Sequence, residues 1–222
     1  MSTIFGQAKR PSRLHRRSRN IAEFTRVLIV CEGASTEPNY FRELCREIGL
    51  AASVVEVVGE ECDSAPISVY NYATNQLKED GSFDEIYCVF DRDTHETFDT
   101  ALHSIRSHPS KKLRSIVSYP CFEYWVLLHF NYTRASLPSV GKRSCGKRML
   151  DLLLTEWPGY KKGAKNVYLE LARQDLTDIA IDRAARARAD ADATGDPDPS
   201  TEIDRLVLRL RQLSTEFLAI SR

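Results

Sequence analysis

Three carboxylates stand where the chain leaves buried-type strands. Arg26-Val-Leu-Ile-Val-Cys31 is a continuous apolar run of strand length, and Glu32-Gly33 follows it directly. Ile86-Tyr-Cys-Val-Phe90 is a second such run, and it ends in Asp91-Arg92-Asp93. In extended backbone, residues i and i+2 point to the same side, so Asp91 and Asp93 converge if the strand end stays extended. If the two strands are neighbours, Glu32 joins them. Three carboxylates in one cleft repel strongly unless a cation lies between them. Hard oxygen ligands with open positions suit Mg²⁺ or Mn²⁺, and such a centre can orient a phosphodiester, polarise it and activate water. Taken singly, each acid has a plainer use. Asp93 or Thr94 can cap a following helix, and Asp91 can hold a turn.

The elements that must position these acids are legible in the hydrophobic pattern. Apolar runs of this kind suit strands covered on both faces of a parallel sheet. After Glu32-Gly33, Ser35 or Thr36 can cap a helix, with Pro38 in its first turn. Phe41, Leu44, Cys45 and Ile48 then recur at helical spacing. Val54 to Val58 predicts a strand, Pro66 to about Lys78 a helix, and Asp80-Gly81 a turn. A helix is expected from about Glu96 to Ser107, and a short strand over Arg114 to Ser118. This β-α-β-α-β-α-β order predicts an α/β fold, a parallel sheet flanked by helices. Ligands of such sheets bind beyond the carboxyl ends of the strands, where the acids lie.

Beyond Tyr119-Pro120 the pattern is helical. Cys121 to Phe130 predicts a buried helix, and further helices are expected over 142–156, 167–172 and 175–193. The Ala/Arg/Asp stretch 182–193 reads as low in bulk and solvated. After the break at Gly195-Asp-Pro-Asp-Pro199, Ile203, Leu206, Val207, Leu210, Leu213 and Phe217 mark one face of a last helix. That face suits a homodimer or packing on the sheet domain. The expected organisation is a basic, disordered arm (1–24), an α/β domain (25–135) and a helical C-terminal extension packed on it (136–222).

Longer strings narrow the reading. Glu-Gly after one strand with Asp-x-Asp after a later one resembles the Toprim domain of topoisomerases, primases and OLD-type nucleases. Glu32-Gly-Ala-Ser-Thr-Glu-Pro-Asn-Tyr-Phe41, Val89-Phe-Asp-Arg-Asp93, Pro120-Cys-Phe-Glu-Tyr-Trp-Val-Leu-Leu-His-Phe130 and Pro199-Ser-Thr201 resemble the RloB family. The resemblance runs from about residue 25 to the C-terminus. It implies a Toprim-like fold and a divalent-metal-dependent nuclease acting on DNA or RNA. It also implies a place in abortive-infection or restriction loci directed at phage, beside an ATPase partner of the AAA or ABC type. By match, Glu32 binds metal or handles a proton at the attacked phosphate, and Asp91 and Asp93 are metal ligands. Glu37 and Glu123 match further acids, for a second metal or for positioning.

The remaining residues carry less. A carboxylate beside so apolar a run as Glu123's must be paired, metal-bound or exposed at the helix start. His129 reads as a packed helix residue and His95 as a surface residue that can also reach a phosphate. Lys161, Lys162 and Lys165, with Lys142, Arg143, Lys147 and Arg148 upstream, suit phosphate contact, though solvated helix faces are the commoner reason for such runs. Tyr160 beside them offers a stacking surface. Arg16 and Arg17 sit in an arm where six basic residues precede any acid, from Lys9 to Arg19, and can meet nucleic-acid phosphates.

Composition sets outer bounds. Lys and Arg total 31 against 31 Asp and Glu, so net charge does not argue for nucleic acid. No apolar run approaches the ~18 residues of a membrane helix, and the basic N-terminus lacks a signal-like apolar core, so a cytoplasmic protein is expected. None of the six cysteines forms a C-x-x-C pair, which disfavours zinc and suits reduced thiols. Two rival enzymes or switches fit poorly. A dehalogenase-type phosphatase wants Asp-x-Asp after the first strand, with a small hydroxyl residue where His95 stands. A receiver domain has no use for the helical extension. A non-catalytic metal-binding partner of an ATPase fits the same residues as the nuclease.

Overall fold

The structure, a computed structural model, describes residues 24–60, 65–79, 81–92, 95–141 and 143–220. The expected alternation is present. It runs β1 (Val27–Cys31), α1 (Thr36–Glu47), β2 (Val55–Val58), α2 (Pro66–Glu79), β3 (Glu85–Asp91), α3 (Phe98–Ser107) and β4 (Leu113–Tyr119). It continues with α4 (Glu123–Phe130), α5 (Cys145–Glu156), α6 (Val167–Ala172), α7 (Thr177–Thr194), β5 (Ser200–Thr201) and α8 (Ile203–Ile220). The sheet order is β2-β1-β3-β4-β5, parallel except for β5. β1 and β3 are therefore neighbours, with Cys31 beside Val89, which is the condition Glu32 needs to meet Asp91.

Strand alternation divides the interior into two layers. Val27, Ile29, Cys31, Tyr87, Val89 and Ile116 face α1 and the later helices. Leu28, Val30, Ile86, Cys88, Phe90 and Val117 face α2 and α3. This explains the unbroken apolar strands, since both faces are covered. Residues after 136 do not stand apart: Met149, Leu153, Leu171, Ala184, Leu206 and Leu210 join the same cluster as the first layer.

Some local expectations are corrected. Ser35 occupies the N-cap of α1 without a side-chain capping bond. α3 starts at Phe98, with Thr97 at its N-cap. The 182–193 stretch is not simply solvated, because Ala180, Ala184, Ala187 and Ala191 of α7 are buried. Small side chains at that spacing let α7 pack closely on α4, whose residues Glu123 to His129 are buried all round. β5 has no signal in the sequence. Two residues are too few to show a period, and Ser200 and Thr201 pair with Tyr119 and Ser118. The apolar face of α8 lies inside the chain, with Ile203, Leu206, Val207 and Leu210 fully buried, so it is spent on this core and is not free for a dimer. No helix among the described residues is long and apolar enough to cross a membrane. The arm with Arg16 and Arg17, as well as Asp93 and Lys142, lies outside the described residues.

Candidate functional site

A cavity of about 270 Å³ opens beyond the carboxyl ends of β1 and β3. Glu32, Glu37, Asp91, His95 and Lys162 line it. Each arrives for a local reason. β1 and β3 end side by side, and the Glu32 Oε2 accepts the Asp91 backbone N–H at 3.1 Å, which locks the two strand ends together. Asp91 Oδ2 in turn accepts the Phe122 N–H at 3.1 Å, at the start of α4. Glu37 lies in the first turn of α1 and Glu123 in the first turn of α4. Two helix N-termini therefore bring acids to the site, a placement the helix dipole favours.

The basic side chains come from loops. His95 Nε2 is 3.2 Å from Glu32 Oε1, so His95 belongs to the cavity and is not merely a surface residue. Lys162 Nζ is 3.4 Å from Glu123 Oε1, while its side chain stays 64% exposed. The loop carrying Lys162 is fastened to α1. Gly163 donates its N–H to Thr36 Oγ1 at 3.0 Å, and its carbonyl accepts from Asn39 Nδ2 at 3.0 Å. Gly163 has φ +78°, which favours glycine there. Of the three lysines of this loop, only Lys162 lines the cavity; Lys161 and Lys165 are exposed outside it. Tyr160 is not a stacking surface. It is 4% exposed, and its hydroxyl donates to Glu123 Oε1 at 3.3 Å. Burial, then Glu123 and Glu37, raises that phenol's pKa.

The electrostatics match a crowd of acids short of positive charge. Burial raises the Glu37 carboxyl to about 7, with Glu123 and Glu32 adding to it against a backbone hydrogen bond. Burial, then Glu37 and Glu123, raises Asp91 well above the usual carboxylate range, opposed by the Phe122 amide. Burial works to lower Lys162, yet Glu123, Glu37 and Asp91 outweigh it and hold its ammonium charged. Glu123 itself is 2% exposed and answers its burial with Tyr160 and Lys162.

This donor chemistry fits a hard divalent cation. Among the described residues no group of three His, Cys, Asp or Glu side chains is arranged as a ready cage. Mg²⁺ needs none, because it keeps several waters and commonly takes one or two carboxylates plus substrate phosphate. Glu32 and Asp91 are brought together as the sequence predicts. His95, which the sequence offers as a surface residue able to reach a phosphate, lines the cavity, and so do Thr36 and Gly163, for which the sequence carries no site signal because the Lys162-Gly163 pair is remote in sequence from α1.

Comparison with known proteins adds the family. Neither the curated proteins nor the solved structures contain a match to this chain. The model of the family described as RloB-like protein matches residues 27–210, which spans β1 through the first two turns of α8 and every residue of the cavity, and the chain belongs to the RloB-like family.

Proposed function

We propose that the chain is a divalent-metal-dependent nuclease that hydrolyses phosphodiester bonds in DNA or RNA, working in anti-phage abortive infection beside an ATPase partner. The observation that carries the chemistry is the gathering of Glu32, Glu37 and Asp91 in one cavity at the carboxyl edge of a parallel sheet, where burial and then neighbouring acids, Glu123 among them, raise the pKa of Glu37 and Asp91. Such a cluster is costly unless a cation or protons join it. The defence setting and the ATPase follow from the family resemblance alone.

Glu32 and Asp91 would hold the cation, with Asp93 two residues on in the sequence and with Glu37 and Glu123 as further acids. A bound Mg²⁺ or Mn²⁺ supplies Lewis-acid polarisation of the phosphodiester and lowers the pKa of water. The chain's own groups do the rest. Lys162 presents an exposed ammonium to phosphate oxygens at the cavity rim. The α1 N-terminus, with Ser35 and Thr36 in the lining, favours the same anion. His95 lies within hydrogen-bond reach of Glu32 and can hold or pass a proton there. Glu123 keeps Lys162 in place.

The test is cleavage of plasmid DNA, linear DNA and total RNA by the purified chain with Mg²⁺, Mn²⁺ or EDTA, beside Asp91→Asn. Metal-dependent cleavage that disappears in the variant supports the reading and names the substrate. If nothing is cut, alone or with the ATPase added, while Mg²⁺ still raises Tm, the carboxylates serve a non-catalytic metal site instead. Cutting that survives Asp91→Asn places the chemistry elsewhere.

A further inference from the structure

A second cavity, of about 330 Å³, lies along the open edge of β4 and shares no lining residue with the carboxylate cavity. β5 covers β4 only at Ser118 and Tyr119. Glu202 then seals the edge at Val117, donating its N–H to the Val117 carbonyl and accepting the Val117 N–H at its Oε2, 3.1 Å away. Upstream no strand among the described residues pairs with this edge, and Leu113 and Ser115 form the cavity's back. By the two-residue alternation of a strand, the Ser115 N–H faces the same edge as that of Val117. Ser115 and Leu113 lie three and five residues before Ser118, which pairs with Asp91, so the back of the cavity is about 10–16 Å along the strand from the carboxylate site.

Arg106, Lys111, Arg114 and Arg205 line this cavity, and Glu202 is the lining carboxylate. Arg205 Nη1 pairs with Glu202 Oε1 at 2.8 Å. Among the described residues Arg106, Lys111 and Arg114 have no salt bridge. The neighbouring Lys112 turns the other way, to the Phe83 carbonyl at 2.7 Å. His108 also lines the cavity and accepts the Ser110 N–H at Nδ1, which leaves Nε2 as the protonated nitrogen of the neutral ring, a further donor. The excess of positive charge is local, since the whole chain has 31 basic and 31 acidic residues. That stretch of edge is too short to take a strand. A concave surface with three guanidinium forks, an ammonium and a backbone amide suits a compact, multiply charged oxyanion.

We infer that Arg106, Lys111, Arg114 and Arg205 form a phosphate-binding site on the open edge of β4, separate from the carboxylate cavity. The phosphate belongs to a nucleic-acid backbone or to a free nucleotide. The site stands apart from the nuclease reading, because binding without a divalent metal suffices to reveal it.

The full chain is titrated in EDTA against a short fluorescein-labelled oligonucleotide, as DNA and as RNA, and separately against tripolyphosphate and ATP. Arg106→Gln/Lys111→Gln is the variant; both side chains are exposed, so its Tm should match the parent. Arg114→Gln is a second, independent variant. The expected result is about a tenfold weakening on one arm, with the salt slope of oligonucleotide binding reduced by about two in the double variant. Loss on the oligonucleotide arm assigns the backbone, and loss confined to the tripolyphosphate and ATP arm assigns the free nucleotide. If the parent binds neither probe, or both variants bind both probes as the parent does, the inference is wrong. Because this assay reads binding and contains no divalent metal, a failed nuclease assay leaves its result untouched, and the reverse holds too.

Discussion

Glu37 reaches the cavity past a glycine whose missing Cβ leaves room for it. A Cβ on Gly33 would stand 2.7 Å from Glu37 Oε2. That carboxylate adds like charge to Asp91 and Glu123, so Glu37→Gln should raise Tm in EDTA by a few degrees while shrinking the gain in Tm on adding Mg²⁺. Differential scanning fluorimetry with and without metal reads both numbers, and a fall in EDTA would contradict the crowding argument. His129 supports a prediction of a different kind. Its ring is 1% exposed, its Nδ1 is 3.0 Å from the Trp125 carbonyl, and its Nε2 is buried without a hydrogen-bond partner among the described residues. Burial pushes its pKa down to about 4, against the Trp125 bond, and Arg183 pushes the same way as burial. The unfolded chain thus takes up a proton near pH 6.5 that the folded chain refuses until about 4. This contribution to stability is whole above pH 6.5 and is lost as pH falls through that window, about 3 kcal/mol in all. Urea midpoints at pH 7.5, 5.5 and 4.5 should show a shallower acid decline in His129→Gln than in the parent.

At the scale of elements, the site depends on close approaches between a strand end and a loop. Gly59, just past β2, is one of them: a Cβ there would lie 2.5 Å from the Gly33 carbonyl oxygen and 2.5 Å from Pro38 Cγ. Neither can yield easily, since one is backbone and the other is in the first turn of α1. Gly59→Ala should therefore displace the Glu32-Gly33 turn and lower any metal-dependent cleavage about tenfold or more, with a stability loss of about 1–3 kcal/mol. Unchanged cleavage would show that the turn tolerates the shift. The other fastening is the pair Arg188–Asp204, joining α7 to α8. Arg188 Nη2 donates to Asp204 Oδ2 at 2.7 Å and Nη1 to the Thr201 carbonyl at 2.7 Å, while Asp204 is 1% exposed. Arg188→Ala leaves a buried carboxylate alone and should cost about 3–5 kcal/mol, whereas Arg188→Met/Asp204→Leu should recover most of that in urea titrations.

At the scale of the molecule, what was legible follows the range of the interactions. Buried parallel strands announce themselves in apolar runs such as Val27–Cys31 and Ile86–Phe90, and their carboxyl ends locate Glu32 and Asp91. Contacts made across more than a hundred residues leave no local trace. Gly163 on Thr36 is one. The burial of Tyr160 spans less, 37 residues to Glu123, yet it too looks like a surface aromatic among lysines until α4 is in place. The alanines of α7 misled for a related reason: their small size signals exposure in isolation and close packing in context. β5 and α8 are the clearest case, because a late segment completes an early layer. α8 buries Ile203, Leu206, Val207, Leu210 and Leu213 in the cluster that holds β1 and α4, and Ser214 Oγ donates to the Ile48 carbonyl at the end of α1. Truncation after Gly195 removes a wall of the first layer, not an appendage. The shortened chain should lose cooperative thermal unfolding and bind a hydrophobic dye at room temperature. Supplying residues 196–222 as a peptide should restore the transition in part. A truncated chain that still melts cooperatively near the parent's Tm would mean that residues 25–195 fold alone, and that the carboxylate cavity needs nothing from α8.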